Sequence, residues 1–142
     1  MSSIQPYTFR AFLDHVWDGD TIWLEIDRGE GWSSLGKYRL YGVDTPEIRG
    51  KGVSDEEKEY AEEAKKFVSD VLLLQGELLI STHKGKSKYD WMVEIWVKTD
   101  LGGLELLSDM IIKHGHGVPY DGGTKASWFV RKKAQDAARQ VS

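Results

Sequence analysis

The stretch YRLYGVDTPEI, residues 38–48, starts as a β-strand and ends as something else. Tyr38, Leu40, Tyr41 and Val43 favour extended backbone, yet Arg39 sits among them, and Asp44 and Glu47 flank Thr45-Pro46 just past the end. Arg39 and Asp44 differ by an odd number, so a straight strand would send their side chains to opposite faces. Gly42 lies between them and permits a bulge or sharp coil that brings the two together. Pro46 pushes Thr45 into extended geometry, and a rigid turn there fixes Asp44 and Glu47. The residues alone are compatible with a structural ion pair and with a site for a phosphate and a metal.

A second acidic pair lies upstream in WDGDT, residues 17–21. By itself Asp-Gly-Asp is a turn. Asp18 and Asp20 are two apart, however, and in extended chain they project on one face, where they repel unless a cation is near. A hard, oxygen-loving ion such as Ca²⁺ suits these ligands; with no cysteine and scattered histidines, Zn²⁺ does not.

Residues 7–17 and 21–27 read as strands, the second alternating Ile22, Leu24 and Ile26 against Trp23 and Glu25. Residues 29–36 read as a loop and 37–43 as the third strand. Ser54 and Glu57 form a capping box, after which Tyr60, Ala61, Ala64, Phe67, Val68, Val71 and Leu72 recur at helical spacing until Gly76. Strands are predicted at 77–83 and 91–99, joined by a lysine-rich loop, and helices at 104–115 and 125–140. Five short strands of this size close best as a small barrel, because closure removes exposed edges. The expected fold is therefore mainly β with helices: a five-strand barrel with three α-helices, in a single domain over 1–142 with residues 1–6 as a flexible arm.

With 142 residues, 40% hydrophobic and 30% charged, the composition is that of a globular domain with a real core. No apolar run approaches the roughly 20 residues that cross a bilayer, and MSSIQPYTFR lacks the apolar core of a signal peptide, so a cytoplasmic protein without membrane contact is expected. Net charge is −4, but SDEEKEYAEE (54–63) alone carries six acids and one lysine. The rest of the chain is close to neutral, with lysines gathered at 84–88 and basic residues at Lys125 and Arg131–Lys133. Such a distribution leaves room for a basic face toward nucleic acid.

DGDT at the first hairpin followed by YRLYGVDTPE resembles the staphylococcal nuclease-like (thermonuclease) family, as does the order of elements from about Tyr7 to Arg139. KY at 88–89 and VPY at 118–120 are weaker matches. The resemblance implies an OB-type five-stranded barrel with three helices and Ca²⁺-dependent, sequence-tolerant hydrolysis of phosphodiester bonds in DNA and RNA by an endonuclease, expected to be a monomer. It further implies that Asp20 and Asp44 are carboxylate ligands of the metal, that Thr45 adds its backbone carbonyl, and that Asp18 sits close by in the outer shell. Glu47 would orient or deprotonate the attacking water, and Arg39 would hold a phosphate oxygen and stabilise the charge growing on phosphorus. Lys86, Lys88, Tyr89 and Tyr120 would contact substrate.

One departure stands out. The family carries a second arginine after its lysine-tyrosine turn, where it stabilises the departing oxygen. Here SKYDWMVEIW puts Trp91 at that place, or Asp90 in the other alignment, and no arginine occurs between Arg49 and Arg131. Losing one such donor typically lowers the rate on the order of 10²–10³-fold. Either Lys86 or Lys88 substitutes as a point charge in a slower nuclease, or the domain binds nucleic acid or a nucleotide without cleaving it. Elsewhere, His114-Gly115-His116 reads as a helix C-terminus rather than a metal site. Most of the six tryptophans are expected in the core, and RGKGVS (49–54) reads as a flap on the phosphate side.

Overall fold

The computed structural model describes residues 7–48, 52–84, 91–120 and 136. Two tight turns fold its first part into an antiparallel meander of β1 (Thr8–Asp18), β2 (Thr21–Gly29) and β3 (Trp32–Leu40). After the short β4 (Val43–Asp44) comes α1 (Asp55–Leu73), then β5 (Leu78–Lys84), β6 (Trp91–Lys98), β7 (Leu104–Leu106), α2 (Leu107–Lys113) and β8 (Val118–Pro119). The main sheet runs β3-β2-β1-β5-β6-β7, and β3 also pairs with β6, in parallel, through Arg39↔Met92 and Leu40↔Val93. That pairing closes five strands into the expected OB-type barrel, with β7 added on the outer edge of β6.

Strand periodicity fills the interior. Ile22, Leu24 and Ile26 from β2, Ile80 from β5 and Val93 and Ile95 from β6 are fully buried. Each such aliphatic side chain contributes about 1.5–3 kcal/mol relative to leaving it exposed. The Ser54 hydroxyl caps α1 by accepting the Glu57 N–H at 3.1 Å, and Ala61, Ala64, Val68 and Leu72 form its inward face. Ala64 lets the helix approach the β1–β2 turn closely. A Cβ on Gly19 would lie 3.0 Å from both Ala64 Cβ and Thr45 Oγ1.

Four expectations need correction or restriction. The loop predicted at 29–36 shrinks to a turn with positive φ at Gly29, Glu30 and Gly31, and β3 begins at Trp32. The large apolar residues of this part of the hairpin, Trp32 and Leu35, are exposed, and the half-buried positions are Ser34 and Gly36, so no apolar alternation marks it. The helix predicted over 104–115 begins at Leu107, because Leu104–Leu106 instead pairs with β6 through Lys98↔Leu104 and Trp96↔Leu106. Leu-Glu-Leu-Leu fits either period, and the free edge of β6 decides it. The described tryptophans lie outside the fully buried core, since the inward strand positions are taken by Ile, Leu and Val. Two helices are found rather than three among the described residues. The predicted third, over 125–140, lies outside them except for Asp136, which is helical. No described helix is long and apolar enough to cross a membrane.

Candidate functional site

The turn after β1 carries Asp20, whose backbone carbonyl accepts the Leu40 N–H at 2.8 Å and so locks the hairpin to the end of β3. Cross-strand pairing sets Thr21 opposite Arg39. Beyond Leu40 the chain turns at Gly42, where φ is 87°, a conformation open to glycine and strained for other residues. The turn overcomes the odd spacing: Arg39 Nη2 donates to Asp44 Oδ1 at 2.9 Å and stands 3.6 Å from Asp20 Oδ2. The Asp20 carboxylate also accepts the Thr45 backbone N–H at 3.1 Å and the Thr21 hydroxyl at 3.2 Å.

A two-stranded ladder secures β4 from the other side. Val43 pairs with Pro119 and Asp44 with Val118, and the Tyr120 N–H donates to the Gly42 carbonyl at 3.1 Å. The Tyr120 ring thereby comes to 5.3 Å from the Arg39 guanidinium carbon, a cation–π distance.

Burial pushes the Asp20 carboxyl above its ordinary range, against the lowering influence of Arg39 and the Thr45 N–H, and Asp44 adds to the rise. Glu57, in the first turn of α1, is also raised, by burial first and then by repulsion from Glu47 and Asp44. Thus Asp44, Glu47 and Glu57 form one acidic neighbourhood, with Asp20 beside Asp44. The Thr45 hydroxyl is buried with no hydrogen-bond partner.

Among the described residues, no group of three or more His, Asp or Glu side chains is gathered to hold a metal ion. Asp20 and Asp44 nevertheless share one guanidinium nitrogen, and their donors are all oxygen. Two neighbouring carboxylates fit a hard divalent cation, which takes its remaining ligands from water, carbonyls or phosphate.

Beside Arg39 opens a cavity of about 210 Å³, lined also by Asp18, Thr21, Lys37 and Trp91. Lys37 was missed in the sequence, although its spacing of two from Arg39 on a strand was the available signal. Glu57 was read only as a capping residue. Glu47 is exposed and does not line this cavity. Lys86, Lys88, Tyr89, Asp90, Arg49 and Lys51 lie outside the described residues. His114 and His116 both pack on Phe67, with ring centroids at 4.9 and 4.8 Å.

The family model described as staphylococcal nuclease homologue matches residues 37–140, well over half of the chain. Comparison with curated proteins finds no match.

Proposed function

Because the chain belongs to the staphylococcal nuclease homologue family, we propose that it hydrolyses phosphodiester bonds in DNA and RNA with Ca²⁺ as cofactor. The observation that carries the reading is Arg39 Nη2 standing 2.9 Å from Asp44 and 3.6 Å from Asp20, beside an open cavity. Asp20 and Asp44, with the Thr45 carbonyl, would hold the ion, and Asp18 would lie in its outer shell. When bound, a divalent ion supplies positive charge against the phosphate and its attacking oxygen.

The rest follows from the chain's own side chains. Attack on a phosphodiester adds negative charge to a group that is already an anion. Nη2 is the only part of the Arg39 fork engaged with these carboxylates, which leaves donors for a phosphate oxygen. Glu47, exposed beside Asp44, orients the attacking water and accepts its proton. Tyr120 packs on the guanidinium and keeps it aimed. Lys37 adds a second cation in the cavity, a point charge without the geometry of an arginine.

One observation favours a second reading. Trp91, which stands at the family's second-arginine place in one of the two alignments, lines the Arg39 cavity and supplies no charge there. In this reading the domain binds nucleic acid without cutting it. Incubation of purified protein with single-stranded DNA and RNA, in Ca²⁺ or in chelator, tests both. Calcium-dependent products support the nuclease. Salt-sensitive binding that survives Glu47→Gln, with no products at micromolar protein, supports the binding module.

A further inference from the structure

A second cavity, of about 580 Å³, opens next to the first, and Tyr38 and Trp91 line both. Its origin is the way the barrel closes. β3 and β6 pair only at Arg39↔Met92 and Leu40↔Val93; upstream of those residues β3 pairs with β2 alone. The mouth is lined by Tyr38 from β3, Trp91 from β6 and Phe9 from β1.

The chemistry of this mouth is specific. Its lining includes two cations, Arg28 and Lys84, and no carboxylate. Arg28 is held in place: Nε donates to Ser34 Oγ at 2.8 Å, Nη2 to the Tyr38 hydroxyl at 3.3 Å, and the guanidinium carbon lies 4.9 Å from the Phe9 ring centroid. No described carboxylate pairs with Arg28 or Lys84. Trp91 is 47% exposed and lines the mouth, where a guest can reach it. Volume, aromatic walls and a fixed cation together suit a flat aromatic group joined to an anion.

We propose that this mouth is a subsite for single-stranded nucleic acid, which takes a nucleobase against Trp91 and Tyr38 and the adjoining phosphate on Arg28 and Lys84. It rests on the phosphodiester reading of the Arg39 site, whose cavity shares the same two aromatic walls. The strand passes from Arg39 across Trp91 into the mouth. In a duplex the bases are stacked inward and offer no free face, so the subsite selects single strands. Trp91 then has a use that an arginine at that position would not serve.

Fluorescence anisotropy on the full chain in chelator, where cleavage cannot interfere, tests this with labelled hexathymidylate and an unlabelled thymidine dinucleotide as competitor. The hexanucleotide is expected to bind more tightly than the dinucleotide. Lys84→Gln, at an exposed position, and Arg28→Gln should each weaken the hexanucleotide by about tenfold. An abasic hexanucleotide should lose a similar factor on the unaltered chain, with no change to the protein's fold. Equal affinity for both lengths, or hexanucleotide binding unmoved by Lys84→Gln and by base removal, overturns the subsite and leaves the Arg39 reading standing. Failure of both ligands to bind in chelator also overturns the subsite, whereas the Arg39 reading, which takes Ca²⁺, is judged by the calcium-dependent cleavage assay.

Discussion

The Asp20 carboxylate accepts the backbone N–H of Thr45 at 3.1 Å, across 25 residues of chain. This bond joins the first hairpin to the end of the barrel and sets two acidic segments around one guanidinium. It depends on close packing at Gly19, where a Cβ would meet Thr45 Oγ1 and Ala64 Cβ at 3.0 Å. Gly19→Ala therefore presses on Thr45 and Ala64, which must give by a few tenths of an ångström.

The expected outcome of Gly19→Ala is a stability loss of about 1–3 kcal/mol, typical of forcing a methyl into a packed site. Cleavage should fall further than stability explains, because Thr45 and Asp20 shift together. Thermal unfolding and initial rates, measured on the same preparation, check this. Wild-type values for both would show that the turn has room to relax.

Arg39→Lys keeps the charge and loses the fork. The cleavage rate should drop on the order of 10²–10³-fold, with little change in Tm. Arg39→Gln removes the guanidinium from between Asp20 and Asp44 and should destabilise the chain by about 1–3 kcal/mol at neutral pH in chelator. Calcium should raise Tm more in Arg39→Gln than in the wild type if the two carboxylates hold the ion. Equal cleavage by Arg39→Lys would remove Arg39 from the reaction.

Glu57 gives a pH dependence of defined sign. Its folded pKa is raised above the ordinary 4.5 by burial and by Glu47 and Asp44. The folded chain thus binds that proton more tightly than the unfolded chain, and stability falls as pH rises from 4.5 through the raised value. Glu57→Gln removes this loss and keeps an N3 residue suited to the helix start. In chelator at pH 7, Tm of Glu57→Gln should exceed that of the wild type, and the gap should close as pH falls below the ordinary glutamate range. Calcium should narrow the gap at pH 7, since a cation near Asp44 relieves the same repulsion. A gap that does not change with pH would place its cause in helix capping instead.

Much of this arrangement could be read along the chain. Gly42 between Arg39 and Asp44 announced a coil, and Ser54 with Glu57 announced a helix start. What escaped depends on contacts between elements. Leu104–Leu106 is ambiguous by period and becomes a strand because β6 has an open edge. Gly19 looks like a turn residue, and only the helix pressed against it reveals why a side chain would be crowded there. Lys37 was within reach of simple alternation from Arg39, but shared exposure to one cavity appears only once β3 and β6 meet. Glu57 joins the acidic neighbourhood through the angle at which α1 crosses the barrel, which no local pattern specifies.

Trp91 and Lys37 together decide what kind of catalyst this site can be. Both line the Arg39 cavity, one apolar and one cationic. If the departing oxygen lacks a preorganised donor, Trp91→Arg supplies one and should raise the cleavage rate on the order of 10²-fold. The same change removes the aromatic wall and should weaken binding of long single strands, so kcat and KM both rise. Lys37→Gln should lower the wild-type rate by about tenfold and flatten the salt dependence of binding by roughly one phosphate contact. In the Trp91→Arg background Lys37→Gln should matter less, because the new guanidinium takes over its charge. Single-turnover rates for the four combinations give the coupling directly. A flat response to Trp91→Arg would mean that charge on the leaving oxygen does not limit this chain, and additive effects would mean that the two residues serve different oxygens of the phosphate.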